Sequence, residues 1–69
     1  MKATKEQVLK YLHEKLALNE DASTWEVLAY IKLKLCIGNR QLSDWRKWLE
    51  DEGHIVRTIT KMDIVRRVK

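Results

Sequence analysis

The chain has 69 residues, with 14 lysines and arginines against 10 acids, a net charge of +4, and no proline. This length predicts one domain with a small core and too little structure for a deep catalytic cleft. Cys36 is the only cysteine, which excludes a disulfide within the chain, and its apolar surroundings predict a reduced core residue. Residues 1–6 lack the apolar run of a signal peptide, and no uncharged segment reaches membrane-spanning length. We therefore expect a cytoplasmic protein.

A first helix is predicted over about residues 5–18. Thr4 and Gln7 have the spacing of a capping box, in which the two side chains satisfy free backbone amides of the first turn. Apolar residues then recur at four-residue spacing at Val8, Leu12 and Leu16. Residues 19–22 are polar and are predicted to form a connector.

A second helix is predicted to begin after Ser23. Ser23 and Glu26 have the spacing of another capping box. One apolar stripe at helical spacing follows, formed by Trp25, Leu28, Ile31 and Leu35. Residues 31–37 also alternate between apolar and other side chains, as a strand does, but the capping box and the leucine and lysine content favour a helix. The segment is apolar on nearly every side, which is typical of a helix that is central or partly covered by a partner.

A third helix is predicted over about residues 39–52. Asn39 is a favourable N-cap residue, and Gly53 is able to adopt the left-handed conformation that ends a helix. The buried stripe of this helix is predicted to contain Leu42, Trp45 and Leu49. Trp48 falls on the edge of that stripe and fits either the core or an interface.

Two structures fit the end of the chain. Ile55, Arg57 and Ile59 alternate as in a half-buried strand. Residues 64–68 then form either a second antiparallel strand after a turn at 60–63, or part of a short helix over 61–69. We favour the hairpin. The predicted fold is mainly α with a small C-terminal β-hairpin, and an all-α domain of four helices is the alternative.

Positive charge is concentrated in the last sixteen residues. Residues 1–22 and 23–53 each contain equal numbers of basic and acidic groups. Residues 54–69 contain a single acid, Asp63, together with five basic residues, namely Arg57, Lys61, Arg66, Arg67 and Lys69. A localised positive field indicates a polyanionic partner, most often a nucleic acid.

Three helices followed by a basic hairpin resemble the winged helix-turn-helix family of DNA-binding domains. The resemblance is carried by residues 42–57, which look like the family's recognition helix running into the first strand of its wing, and by residues 8–12, which look like its first helix. It implies that helix 3 enters the major groove and that the wing lies on the phosphate backbone. The candidate DNA-binding residues are Asn39, Arg40, Ser43, Lys47, Arg57, Lys61, Arg66 and Arg67.

The leading hypothesis is thus a small DNA-binding regulator or accessory factor, acting on double-stranded DNA and expected to form a homodimer. The main alternative is a protein-binding adaptor or inhibitor that uses the apolar surface of helix 2 with Trp48. RNA binding by the basic tail is a third possibility. We expect no enzyme activity, cofactor or metal, because His13 and His54 have no second ligand at metal spacing and neighbouring helical acids point in different directions.

Overall fold

A computed structural model of the chain describes residues 3–59 and 61–69. Its elements in chain order are α1 (Lys5–Lys15), β1 (Asp21–Ser23), α2 (Thr24–Leu35), α3 (Asn39–Asp51), β2 (Ile55–Ile59) and β3 (Ile64–Arg67). The predicted layout of three helices with a C-terminal hairpin is confirmed, in the arrangement of a helix-turn-helix followed by a wing. The alternative prediction of a C-terminal helix over 61–69 is wrong. Thr60, predicted to lie in the hairpin turn, is outside the described residues.

The sheet contains one strand more than the sequence predicts. Its order is β1-β3-β2, and both neighbouring pairs are antiparallel. The extra strand, β1, lies in the segment predicted to be a connector, and it places Ala22 opposite Val65. Three residues are too short for an alternating pattern to be recognised. The strand exists because β3 supplies its hydrogen-bonding partner from the far end of the chain.

The predicted start of α1 is confirmed, whereas its end comes earlier than residue 18. The backbone amide of Gln7 donates to Thr4 Oγ1 at 3.2 Å, and that of Thr4 donates to Gln7 Oε1 at 3.0 Å, which completes the capping box. Leu16 has extended backbone angles and ends the helix. Its side chain is nevertheless fully buried, so the last member of the predicted stripe still belongs to the core.

Residues 24–35 form a helix, as favoured, but α2 begins differently from the prediction. The Ser23 side chain makes no capping hydrogen bond. The backbone amide and hydroxyl of Thr24 instead donate to the carbonyl oxygen of Asp63 at 2.9 and 2.8 Å. Thr24 is only 1% exposed. The first turn of α2 is thus closed by the hairpin turn, a contact between residues far apart in the chain.

Two predictions about the turn between α2 and α3 are wrong. Cys36 lies on the surface with a left-handed φ of 53°, so it ends α2 and is not a core residue. Gly38 occupies the N-cap position of α3, and Asn39 is its first helical residue. The end of α3 agrees with the prediction, because Gly53 has a φ of 73° and the amide of His54 donates to Leu49 O at 2.9 Å.

Replacing Cys36 with glycine is expected to stabilise the fold. A left-handed conformation costs a non-glycine residue about 1–2 kcal/mol, part of which is offset by the greater freedom of glycine in the unfolded chain. We expect the free energy of unfolding to rise by about 0.5 kcal/mol in a urea titration monitored by circular dichroism. Cys36→Ser keeps the strain and serves as the control. A loss of stability in the glycine variant would contradict this account of the turn.

The core lies between the three helices and the inner face of the sheet. Its members are Val8, Leu12, Leu16, Val27, Leu28, Ile31, Ile37, Leu42, Leu49, Ile55 and Val65. Trp45 and Trp48 are partly buried against it, with their rings in an edge-to-face arrangement 5.5 Å apart. Within the described residues, no helix is long and apolar enough to cross a membrane.

Candidate nucleic-acid interface

One side of α3 packs against the core, and the opposite side is exposed to solvent. Leu42 and Leu49 are buried at 6% and 0% exposure. On the other side of the helix the exposed residues include Arg40, Ser43 and Lys47, three of the predicted DNA contacts. Arg40 and Ser43 lie in the first two turns, where a helix-turn-helix protein contacts base edges, and Lys47 lies at the start of the third.

Acidic residues also lie on the outer side of α3. Asp44 is exposed within the first two turns, and Asp51 is exposed in the last turn. At 100° per residue both project in nearly the same direction as Arg40 and Lys47. The four charges therefore alternate in sign along this side, with Asp44 between Arg40 and Lys47, and they cancel. The helix dipole adds a partial positive charge only at the N-terminal end of α3.

Asn39 is held by a residue that the sequence did not mark as functional. Lys32 Nζ donates a hydrogen bond to Asn39 Oδ1 at 2.6 Å. The bond joins the last turn of α2 to the first turn of α3, and it places a further positive charge beside the start of α3. No local sequence signal connects residues 32 and 39, since their proximity depends on the angle between the two helices.

Four charged side chains join α3 to the hairpin, and we call this group the wing clamp. Arg46 lies 3.4 Å from Glu50 and 3.2 Å from Asp63. Arg57 lies 3.7 Å from Glu50 and 3.8 Å from Asp63. Each arginine therefore contacts both acids. Arg57 does lie beside α3, as a wing residue should, but much of its charge is compensated within the protein.

Replacing Asp63 with asparagine is expected to weaken the wing clamp without removing the contact to Thr24. Asparagine tolerates the left-handed φ of 52° at this position and retains the backbone carbonyl. Because these ion pairs are partly exposed, we expect a loss of up to about 1 kcal/mol in the free energy of unfolding. The loss should shrink in 1 M NaCl. An equal loss at both salt concentrations would show that the clamp is not electrostatic. Asp51→Asn, which removes an acid from the end of α3 outside the clamp, is the control.

The two arginines of β3 do not reach α3. Arg66 donates two hydrogen bonds to the carboxylate of Asp21, at 2.6 and 3.1 Å. Arg67 donates to the carbonyl oxygens of Leu16 and Lys69, at 3.2 and 2.7 Å. Neighbouring residues of a strand point to opposite faces of the sheet, so the two side chains diverge. Arg66 and Arg67, two of the candidate DNA-binding residues, therefore do not form one continuous basic surface with α3.

The hairpin turn carries one of the remaining predicted contacts. Lys61 is exposed in the turn between β2 and β3. Two apolar side chains nearby are also exposed, Ile59 at 47% and Met62 at 67%. The sequence predicted a half-buried β2, yet only Ile55 of that strand is buried. The turn thus combines one positive charge with apolar surface.

Trp48 belongs to a cluster with His54 and Lys5. Its ring lies 5.2 Å from the ring of His54, and Lys5 Nζ lies 5.6 Å from its centroid. His54 Nδ1 is buried without a hydrogen-bond partner among the described residues. Burial lowers the pKa of His13, and the positive charges of Arg67 and His54 lower it further. His54, distant from His13 in sequence, therefore contributes to the lowered pKa of His13.

The lowered pKa of His13 predicts a loss of stability on acidification. A histidine whose pKa is lower in the folded state binds a proton more readily when unfolded, so stability falls as the pH drops below the ordinary value of 6.5. His13→Gln should make the unfolding free energy less dependent on pH between about 7 and 5. We would measure urea midpoints at several pH values. A wild-type curve that is flat across this range would contradict the expectation.

Among residues 3–59 and 61–69, no group of three or more histidine, cysteine, aspartate or glutamate side chains is placed to hold a metal ion. Comparisons with protein-family models, with curated proteins and with solved structures found no match.

Proposed function

We propose that this chain is a small cytoplasmic DNA-binding protein, acting as a transcriptional regulator or an accessory DNA-binding factor. The first two turns of α3 enter the major groove of double-stranded DNA. The hairpin turn, with Lys61, lies against the phosphate backbone. Arg66 and Arg67, which the sequence suggested as contacts, have no part in this interface.

The outer side of α3 is the observation that carries the proposal. Arg40 and Lys47 form no ion pair with any of the residues that the structure describes, in contrast to the arginines of the wing clamp. They flank Ser43 on a helix whose opposite side is buried in the core. The major groove is wide enough to admit a helix presented in this way.

The residue types at this surface suit two kinds of contact. An arginine such as Arg40 can donate two hydrogen bonds to the O6 and N7 atoms of guanine. Ser43, Asn39 and Lys47 can donate to phosphate oxygens and fix the orientation of the helix. Asp44 opposes phosphate and so favours a docking angle in which it faces away from the backbone. Each phosphate contact releases counterions, so the affinity depends on salt.

The proposal is tested by titrating the protein with random-sequence duplex DNA at several salt concentrations. Two or three phosphate contacts predict a slope of about −2 to −3 in a plot of log K against log salt concentration. Binding that is absent at 20 mM salt would overturn the proposal. Structured RNA in competition identifies the preferred nucleic acid, and stronger binding to RNA than to duplex DNA would also contradict it.

A protein-binding adaptor or inhibitor is the second candidate. It is favoured by exposed apolar residues on α2, with Trp25 at 70% and Leu33 at 76% exposure. Trp48, which was expected to share that surface, packs against Trp45 and His54 instead. An adaptor would show no affinity for duplex DNA at low salt, so the same titration distinguishes the two candidates.

A further inference from the structure

The turn between β2 and β3 exposes apolar side chains at the end of the hairpin. Met62 is 67% exposed, and Ile59, the last residue of β2, is 47% exposed. Lys61 is exposed beside Met62, and we call these three residues the hairpin tip. A single exposed apolar side chain is ordinary on a protein surface. Two of them at the end of a hairpin that also carries a lysine give the tip an apolar front with one positive charge.

Asp63, the residue after Met62, fixes the turn to two helices. Its carbonyl oxygen accepts hydrogen bonds from the backbone amide and the hydroxyl of Thr24 at 2.9 and 2.8 Å. Its carboxylate lies 3.2 Å from the guanidinium group of Arg46. Thr24 begins α2, and Arg46 lies in the middle of α3. The turn is therefore anchored on two sides, and an anchored side chain enters a ligand at less entropic cost than one on a mobile loop.

The hairpin tip lies along one flank of the outer side of α3. At 100° per residue, Arg46 lies between the buried Leu42 and the exposed Ser43. Because Arg46 contacts Asp63, the turn lies at that edge of the helix. A helix in a major groove has a phosphate strand on each flank, and a minor groove lies beyond each strand. With α3 in the groove, the tip meets a phosphate strand and the minor groove behind it.

We propose that the hairpin tip is an apolar wedge that kinks the bound DNA. Met62 enters a base step from the minor groove and partly unstacks it, while Lys61 binds the adjacent phosphate. This inference rests on the proposed DNA-binding function and adds to it a deformation of the DNA. Methionine is among the side chains that open base steps in this way, and its flexible thioether adapts to the shape of the gap. Insertion removes from water the apolar surface that the fold itself leaves exposed.

The wedge selects DNA by how easily a base step opens. A TA step is flexible and is readily kinked or unstacked. The protein should therefore bind a duplex with a central TA step several fold more tightly than the same duplex with that step reversed to AT. The base composition is identical in the two duplexes, so net attraction to phosphate does not distinguish them. Equal affinities for the two would contradict the wedge.

Energy transfer between dyes at the two ends of a duplex tests the kink. We would saturate a duplex of about 20 bp, carrying a central TA step, with the native protein at low salt. A kink of about 60° at the centre shortens the end-to-end distance of the duplex by about 13%, so energy transfer should rise. Met62→Ser should still bind through α3 but leave energy transfer close to that of free DNA.

Two matched variants control this experiment. Met62→Leu keeps a side chain able to enter a base step, and it should kink the duplex as the native chain does. Leu33→Ser removes apolar surface at a residue that is 76% exposed on α2, and it should also keep the kink. Circular dichroism should be unchanged in all three variants, because both positions are exposed. A Met62→Ser complex as bent as the native one would overturn the proposal.

Unstacking is measured separately with 2-aminopurine in place of the adenine of the TA step. Its fluorescence rises when the base is unstacked, so the native protein should raise it and Met62→Ser should not. Bound DNA that stays straight, or that bends without a change in 2-aminopurine fluorescence, would overturn the wedge and leave the DNA-binding proposal intact. A chain that does not bind the duplex at low salt fails at the proposed function itself, and the wedge fails with it.

Discussion

Replacing Arg40 and Lys47 together with alanine is expected to weaken binding to duplex DNA by about 100-fold at 0.1 M salt. The reason is that each arginine or lysine charge removed from the DNA-binding surface releases about one counterion fewer, which costs roughly a factor of ten in affinity at this salt concentration. The slope of log K against log salt should become shallower by about 2. Both side chains are exposed, so the fold should be preserved.

Two matched variants give this experiment its specificity. Arg66→Ala also removes a positive charge, but that arginine is bound to Asp21 away from α3, and we expect less than a threefold change in affinity. Asp44→Asn removes a negative charge beside Arg40 and should tighten binding by several fold. If Arg66→Ala weakens binding as much as Lys47→Ala alone, attraction depends on net charge, and α3 does not define the interface.

Replacing Leu49 with alanine is expected to lower the free energy of unfolding by about 3 kcal/mol. Leu49 is fully buried and anchors α3 to the core, so its truncation leaves a cavity under the proposed DNA-binding helix. A domain of this length has a total stability of only about 3–10 kcal/mol. The loss is therefore a large share of the total, and the urea midpoint should fall markedly.

Leu18→Ala is the control for this prediction, because Leu18 is 55% exposed on the segment after α1. The same atoms are removed from a site that neighbours do not enclose, so we expect a loss below about 0.5 kcal/mol. The comparison also bears on function, since Leu49→Ala should weaken DNA binding only as far as it unfolds the protein. Similar losses for the two variants would contradict the arrangement of the core around α3.

Structural features that depend on residues close together in the chain could be predicted from the sequence. The capping box of Thr4 and Gln7, the spacing of Leu42 and Leu49, and the glycine that ends α3 all act within a few positions of one another. These local signals predicted the three helices and the hairpin. Arg40 and Lys47, two of the candidate DNA-binding residues, are exposed on the side of α3 opposite its buried leucines.

Structural features that depend on residues far apart in the chain could not be predicted in this way. The first turn of α2 carries a sequence pattern for a capping box, yet its hydrogen-bond acceptor is the carbonyl of Asp63, contributed by the hairpin turn. β1 exists because β3 pairs with it, and Asp21 binds Arg66 through that pairing. Contacts of this kind form only once the whole fold has brought the segments together.

One wrong prediction, the grouping of Arg66 with Arg67, could have been avoided from the sequence alone. Arg66 and Arg67 are consecutive residues of a predicted strand, and consecutive strand residues point to opposite faces. The two could not have contributed equally to one basic surface. The acids of the wing clamp are different, because nothing in the sequence shows that Glu50 and Asp63 would lie close to both Arg46 and Arg57.

The location of the DNA contact is the central claim, and an NMR titration tests it most directly. We would record amide and side-chain shifts of ¹⁵N-labelled protein as duplex DNA is added at low salt. The shifts are expected to concentrate at Arg40, Ser43, Lys47 and Lys61. Shifts confined to Trp25, Ala29 and Leu33, or a spectrum that does not change at all, would contradict the claim.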